Sequence, residues 1–535
     1  MALVRSPLSA FLVLAVASIV GVAPGVSALQ SEGDQEPVPA ISTVDELRAW
    51  IARFGRKGGP WKGADAQLRV LANRLGDEVR EEPDRSAELC GLLLDLAGWN
   101  IHHILTRDDF AAGNPLRVVH RAGYEVLLDL VASRPGERIL EWLADEVLVL
   151  PGRHSASRRY VALGVLNEYR TDKARMAMLT IARNEQDELR PTVLSLLATW
   201  PEESIDLFLV GLLRKKHDPK QKPHPFNLVL KRVRDSEEPF GPRAADALVK
   251  RLAYMLISAD WRDASRAIEL ARGLVLERRV PLLLDALLTW HKRDLRGGGN
   301  KRILHEIIRE LRRISGRSIG ENPKNWITWW IAYRQGRVEV PIEGEALEEQ
   351  RTHATFFGLG AVSDRITFVI DHSGSMLTEW GTTGHNRYEE AIEQMTRFIQ
   401  ASGAATRFNV ILFSGIPVRS SPQLVRADTE TLELARSSLL ALFPRGATNL
   451  HSAVRLALFL DEDGDVDVDR LEADTIIVLC DGETTEGPGW VRTLLERVSA
   501  DARVVFHCVH LGSRDDGTLR LLAEETGGEY IQIGG

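Results

Sequence analysis

Cysteine is nearly absent from this sequence: Cys90, Cys480 and Cys508 are the only three among 535 residues. So few thiols exclude a disulfide framework, and the apolar surroundings of Cys480 and Cys508 favour buried free thiols, with one bridge as the alternative. None of them follows the N-terminal apolar run, where a bacterial lipid-attachment cysteine would stand. Also lacking are a GxSxG elbow, an HExxH pair, a glycine-rich phosphate loop and Cys/His pairs at zinc spacing, so a non-catalytic protein is expected. His372 beside Ser373 does not change this, because neighbours in an extended segment point opposite ways. An unrecognised hydrolase is the weak alternative. Basic residues are dispersed and the net charge is −8, which argues against nucleic acid as a ligand.

One apolar run does stand out. Met1 to Ala28 carries Arg5, an apolar stretch from about Leu8 to Val22, Pro24 and the small-residue end Val26-Ser27-Ala28. This is the pattern of a secretory signal peptide, so residues 1–28 are expected to be removed on export to the periplasm, cell surface or medium. An uncleaved anchor helix is the alternative and the only route to a membrane, since no other segment is apolar enough to span one. Residues 29–41, polar and containing Pro37 and Pro39, read as a flexible lead-in.

From residue 42 to 336 apolar residues recur at helical spacing between Pro, Gly, Asp and Asn breaks, which predicts an all-α region. Leu163, Leu166, Tyr169, Ala174, Met178 and Ile181 return as Leu194, Leu197, Trp200, Ile205, Leu209 and Leu212, a period of about 30 residues. Pro191, Val193, Leu194, Leu197, Thr199 and Trp200 return again as Pro281, Leu283, Leu284, Leu287, Thr289 and Trp290. The region thus resembles a degenerate HEAT-repeat solenoid, with an irregular bundle as the alternative. Arg214 to Pro225, rich in Lys, reads as an exposed loop, and Gly297 to Gly299 as a turn. Trp326, Trp329, Trp330 and Tyr333 share one helical face and should cap the last repeat. Residues 337–364 read as a linker.

The periodicity changes at residue 365. Short β-rich runs (Ile366–Ile370, Phe408–Phe413, Thr475–Cys480, Val504–Val509, Glu529–Ile533) alternate with helical segments up to Gly535. That alternation predicts a doubly wound, mostly parallel α/β sheet. Asp371 ends the first strand and Asp481 the run read as the fourth, so both carboxylates should enter the crevice where strand order reverses.

Asp371-x-Ser373-x-Ser375, Thr448 within Gly-Ala-Thr-Asn and Asp481 within Leu-Cys-Asp-Gly-Glu together resemble the metal-ion-dependent adhesion site (MIDAS) of the von Willebrand factor A family. The resemblance covers residues 365–535; Cys480, where Thr or Ser is more usual, is a departure that removes no ligand. It implies a Rossmann-like domain in which Asp371, Ser373, Ser375, Thr448 and Asp481 hold one divalent ion. Two carboxylates and three hydroxyls form a hard oxygen set suited to Mg²⁺ or Mn²⁺. By family analogy, an Asp or Glu of a protein partner would complete the shell. The alternative is a scaffold in which the repeats recognise the partner and this domain is structural.

A second acidic stretch places Asp461, Asp463, Asp465, Asp467, Asp469 and Glu472 as in an EF-hand loop for Ca²⁺. It departs at Val466, where glycine is normal, and in being followed by a strand; a solvated acidic loop is the competing expectation.

Overall fold

The protein is described by a computed structural model over residues 65–98, 121–133, 136–150, 152–214, 217–236, 239–339, 355–360, 363–381, 384–403, 405–482, 484, 486–513 and 515–534. The signal peptide, the lead-in, and Lys215 and Lys216 of the Lys-rich loop lie outside these residues. The chain forms two compact units, one up to Ile205 and one from Asp206 onward.

The first unit is helical: α1 (Asp65–Glu81), α2 (Ser86–Gly98), α3 (Arg121–Ala132), α4 (Gly136–Trp142), α5 (Ala156–Tyr169), α6 (Asp172–Arg183), α7 (Arg190–Leu197) and the start of α8 (Glu203–Leu212). Ser155 and Thr171 cap α5 and α6, each side-chain oxygen accepting a first-turn N–H that would otherwise lack a partner. The echo at a spacing of about 30 residues falls on two successive helix pairs, α5–α6 and α7–α8. Leu163 and Leu166 of α5 and Leu194 and Leu197 of α7 are all buried. Arg159, itself buried, donates to Asp187 at 2.5 Å and to the Leu148 carbonyl at 3.0 Å, so its charge is compensated.

The second echo does not mark equivalent helices. Pro191 opens α7, whereas Pro281 lies inside a long helix that also contains Trp290. What the two copies share is a buried indole needing a partner: Trp200 donates to Asn167 at 2.8 Å, and Trp290 to the Leu256 carbonyl at 2.7 Å.

The second unit continues with α9 (Pro225–Asp235), α10 (Pro242–Leu256), α11 (Trp261–Leu270), α12 (Leu276–Asp294), α13 (Lys301–Ser315) and α14 (Pro323–Arg334). Trp326, Trp329 and Trp330 are buried, with Trp330 and Tyr333 stacked at 5.1 Å, and α14 packs on α12. Then come β1 (Arg365–Asp371), α15 (Arg387–Ser402), β2 (Arg407–Phe413), β3 (Val418–Arg419), β4 (Val425–Arg426), α16 (Thr429–Leu440), α17 (Leu450–Ala457), β5 (Thr475–Cys480), α18 (Gly489–Ala502), β6 (Val505–Leu511), α19 (Thr518–Thr526) and β7 (Tyr530–Ile533).

The sheet order is β3-β2-β1-β5-β6-β7, with β4 also on β2; all pairs are parallel except those of β3 and β4 with β2. The sheet is therefore doubly wound and mostly parallel, as the alternation predicted. The two antiparallel edge strands, two residues each, were too short to give a periodic signal. Thr475–Cys480 is thus the fifth strand in sequence, yet it still lies beside β1.

Two sequence expectations need correction here. Within the 337–364 linker, the described residues 355–360 pack on the sheet core: Phe356 is fully buried and meets Phe368 edge-on at 5.6 Å. The loop before α9 is not simply exposed either. His224 is buried and Lys222 half-buried, because Lys222 pairs with buried Asp501 of α18 at 2.9 Å.

Helices α11 and α13 grip the sheet at one end. Asp474, immediately before β5 and fully buried, accepts from Asn300 at 2.8 Å and Ser363 at 2.6 Å, and Arg302 donates to its carbonyl. Lys301 donates to the Ser402 carbonyl at 3.0 Å, Arg266 to the Ala500 carbonyl at 2.8 Å, and Arg262 to the Leu471 carbonyl. Residues 402, 474 and 500 each precede a parallel strand, so these contacts all fall at the amino ends. The carboxyl ends, where ligands bind in such sheets, stay uncovered by these helices.

Candidate functional site

Asp371 closes β1 and Asp481 directly follows β5; the two strands are adjacent and parallel, so both carboxylates emerge at the switch point. Both are buried. Between them runs a chain of hydroxyls. Ser373 Oγ lies 2.9 Å from Ser375 Oγ, and Ser375 Oγ donates to Asp481 Oδ1 at 2.7 Å. The turn that sets this up is local: Asp371 Oδ1 accepts the Ser373 N–H at 2.8 Å, and a 3₁₀ turn follows over Gly374–Leu377.

Thr448 arrives on a separate loop pinned to the same strand ends. Arg445 N–H donates to the His372 carbonyl at 2.8 Å, and Asn449 N–H to the Ser414 carbonyl at 2.8 Å. Gly446 takes φ +97°, and a Cβ there would sit 3.3 Å from Ser414, so glycine lets the loop pass close to the end of β2. Asn449 then caps α17, accepting from Ser452 N–H at 3.0 Å. Asp371, Ser373, Ser375 and Asp481 are thus joined directly, and Thr448 is carried to their edge by its loop.

Two partners of the carboxylates were not foreseen. Arg387, the first residue of α15, donates Nη1 to Asp481 Oδ2 at 2.8 Å. The Cys480 thiol donates to Asp371 Oδ2 at 3.1 Å, filling the place where a hydroxyl is more usual. Burial pushes the Asp371 carboxyl up to about 6 and the Cys480 thiol well above its ordinary value. Nothing in sequence spacing signals Arg387; only the fold brings the start of α15 to Asp481. His372 does not pair with Ser373: its ring packs on Tyr388 at 5.0 Å.

As a donor set, two buried carboxylates and two hydroxyls already within hydrogen-bond distance, with a third hydroxyl on the adjoining loop, fit a small hard divalent cation. Gly374 is exposed and a Cβ there would meet nothing, so the mouth is open to an outside ligand.

The acidic loop is not assembled as an EF-hand. Its positive-φ turn falls at Gly464, not at Val466. Asp461 accepts the Asp465 N–H at 2.9 Å, and Glu472 turns away to accept the Leu424 N–H at 2.8 Å. Asp465 is buried against Arg497 at 3.3 Å, while Lys220 lies 3.6 Å from Asp461 and 3.7 Å from Asp463. Asp467 caps Arg470 N–H at 3.3 Å. Of the six carboxylates expected for Ca²⁺ (Asp461, Asp463, Asp465, Asp467, Asp469 and Glu472), Asp461, Asp465, Asp467 and Glu472 are thus engaged by backbone amides or Arg497 in a loop of different geometry from an EF-hand.

His217, His224 and Asp501 bring ligand-type atoms within 4.8 Å of one another. However, His224 Nδ1 accepts the Phe226 N–H at 3.0 Å, which places the neutral ring's proton on Nε2. That nitrogen lies 3.5 Å from Asp501 without forming a hydrogen bond, and Lys222 donates to the other Asp501 oxygen at 2.9 Å. The cluster anchors the loop to α18.

Residues 364–531 match the family model of the von Willebrand factor type A domain, and the mostly parallel sheet with flanking helices in this region fits the fold of such a domain. The region is 28% identical over 160 residues to inter-alpha-trypsin inhibitor heavy chain H4 of Homo sapiens. That match spans 29% of this chain and 16% of the relative's length. Among solved structures, the chain is similar to a von Willebrand factor type A protein from Catenulispora acidiphila (21% identity, 33% of this chain and 40% of that one, TM-score 0.27). It is also similar to proximal thread matrix protein 1 from the mussel byssus, solved with a zinc-occupied MIDAS motif (18% identity, 31% and 40% coverage, TM-score 0.24). Among the described residues no helix is long and apolar enough to cross a membrane.

Proposed function

We propose that this is an exported, non-catalytic protein whose A-type domain binds a protein partner through a divalent metal, with Mg²⁺ or Mn²⁺ as the ion. The observation that carries this reading is the hydrogen-bonded line Ser373–Ser375–Asp481 beside buried Asp371 at the switch point. Asp371, Ser373, Ser375, Thr448 and Asp481 would hold the ion, which would supply a positive site for an Asp or Glu of the partner. The chain's own part is to keep both carboxylates buried and converging, and to leave the mouth open. The helical region serves as a HEAT-like scaffold.

Isothermal titration of the purified chain with Mg²⁺, and capture of partners from an envelope fraction with and without EDTA, test the reading. Asp371→Ala should abolish both the Mg²⁺ heat and the EDTA-sensitive capture. Capture that persists unchanged in this variant would move recognition to the helices.

A further inference from the structure

Large exposed apolar side chains in the A-type domain are not spread evenly. Among the described residues of 364–531 they are Leu377, Ile416, Val418, Leu434, Leu442 and Phe443. All but Leu434 sit on segments at the metal-site end of the sheet. Leu377 lies two residues after Ser375. Ile416 and Val418 follow Ser414, whose carbonyl holds the Thr448 loop, and Val418 pairs with Leu412 near the end of β2. Leu442 and Phe443 precede Arg445, whose N–H is bonded to the His372 carbonyl. Ile416 is 82% and Phe443 69% exposed, a clustering that a solvated loop end gains nothing from.

The mouth carries charge of both signs, with exposed Glu379 two residues after Leu377. Exposed Arg445 adds positive charge among these apolar residues on the β1–β2 side. Among the described residues that follow Asp481 on the β5 side, Glu486, Pro488 and Gly489 are exposed, and Glu486 lowers the attraction for further acid there. The docking contacts of α11 and α13 lie at the opposite end of the sheet, so they do not explain the apolar rim.

We propose that the partner is a protein segment in which one Asp or Glu is directly flanked by large apolar side chains, which pack on Ile416 and Phe443 while the carboxylate enters the site. This rests on the metal-site reading above. The carboxylate provides charge complementarity, and the flanking side chains select among the many acidic residues any partner exposes.

Two synthetic peptides test it: acetyl-Phe-Leu-Asp-Gly-amide and acetyl-Ser-Asn-Asp-Gly-amide. Their binding to the full chain is measured by ligand-observed NMR in Mg²⁺ and in EDTA, for the natural protein and for Ile416→Ser/Phe443→Ser. Neither substituted residue is a metal ligand, so a Mg²⁺ titration shows that the double variant is folded with its site intact. In Mg²⁺ the apolar peptide should bind the natural protein roughly tenfold more tightly, and the double variant should lose that preference. Mg²⁺-dependent but equal binding of both peptides, or a preference that survives in the variant, overturns the rim and leaves the metal site standing. Failure of both peptides to bind in Mg²⁺ also counts against the rim, whereas loss of Mg²⁺ dependence in the titration itself removes the metal reading with it.

Discussion

Arg387 holds Asp481 by a 2.8 Å ion pair in which the carboxylate is fully buried and the guanidinium is largely so. The proposed metal site thus contains a built-in cation on one of its own oxygens. Removing it leaves a buried charge short of a partner, a change that costs about 3–5 kcal/mol in fully buried pairs and less in this partly exposed one. Arg387→Ala should therefore lower the melting temperature clearly in EDTA, and Mg²⁺ should restore much of the loss. Differential scanning fluorimetry in the two buffers reads this directly; an equal drop in both would show that Asp481 does not share in metal binding.

Asp371→Asn keeps the shape of the side chain and one carbonyl acceptor for the Ser373 N–H, but removes the charge. We expect Mg²⁺ affinity to fall by about 100-fold or more, as two carboxylates become one, while the fold is retained. Titration calorimetry, with circular dichroism as the control for folding, checks it.

Asp474 accepts from Asn300, Ser363 and Thr475, all at 2.6–2.8 Å, in a fully buried position. Asp474→Ala orphans these donors and should destabilise the second unit by about 2–4 kcal/mol in urea unfolding. The six residues of β5 separate Asp474 from Asp481 by roughly 20 Å. Mg²⁺ affinity of the folded variant should accordingly be unchanged.

Burial, with the Asp474 carboxylate adding to it, raises the Asp364 carboxyl to about 6. One of its oxygens is buried without a hydrogen-bond partner, while Arg365 and Lys301 oppose the shift only weakly. A folded-state value above the unfolded one of about 3.9 means that the native state binds the extra proton. The group's contribution to stability is full at low pH and is lost as pH rises from about 4 through about 6. Asp364→Asn should remove that slope and gain on the order of 1 kcal/mol at neutral pH. Asp371 adds a slope of the same sign in both proteins, so the difference between their pH–stability curves isolates Asp364.

The sheet was legible because buried parallel strands are short apolar runs ended by functional residues. Thr475–Cys480 appears in the structure with the predicted bounds. The site residues were legible for a related reason: the Asp371–Ser375 turn is built from near neighbours, and its geometry is set by a single Asx-type bond. The second echo of the helical region misled because identical apolar words do not fix where a helix begins. Pro191 stands in a first turn, whereas Pro281 is carried inside a helix secured by its packing.

By itself, then, the amino-acid sequence determined the α-to-α/β change of periodicity, the strand-end placement of Asp371 and Asp481, and the oxygen-rich donor set, since all of these are properties of neighbours along the chain. Tertiary structure alone decided that Arg387 and Cys480 would occupy the carboxylates, and that Lys220 and Arg497 would face the acidic loop. It also decided that Asn300 and Arg302 would fasten the helices to the amino end of β5. These pairs are separated by many residues, and their energy arises only when burial removes water from both partners at once.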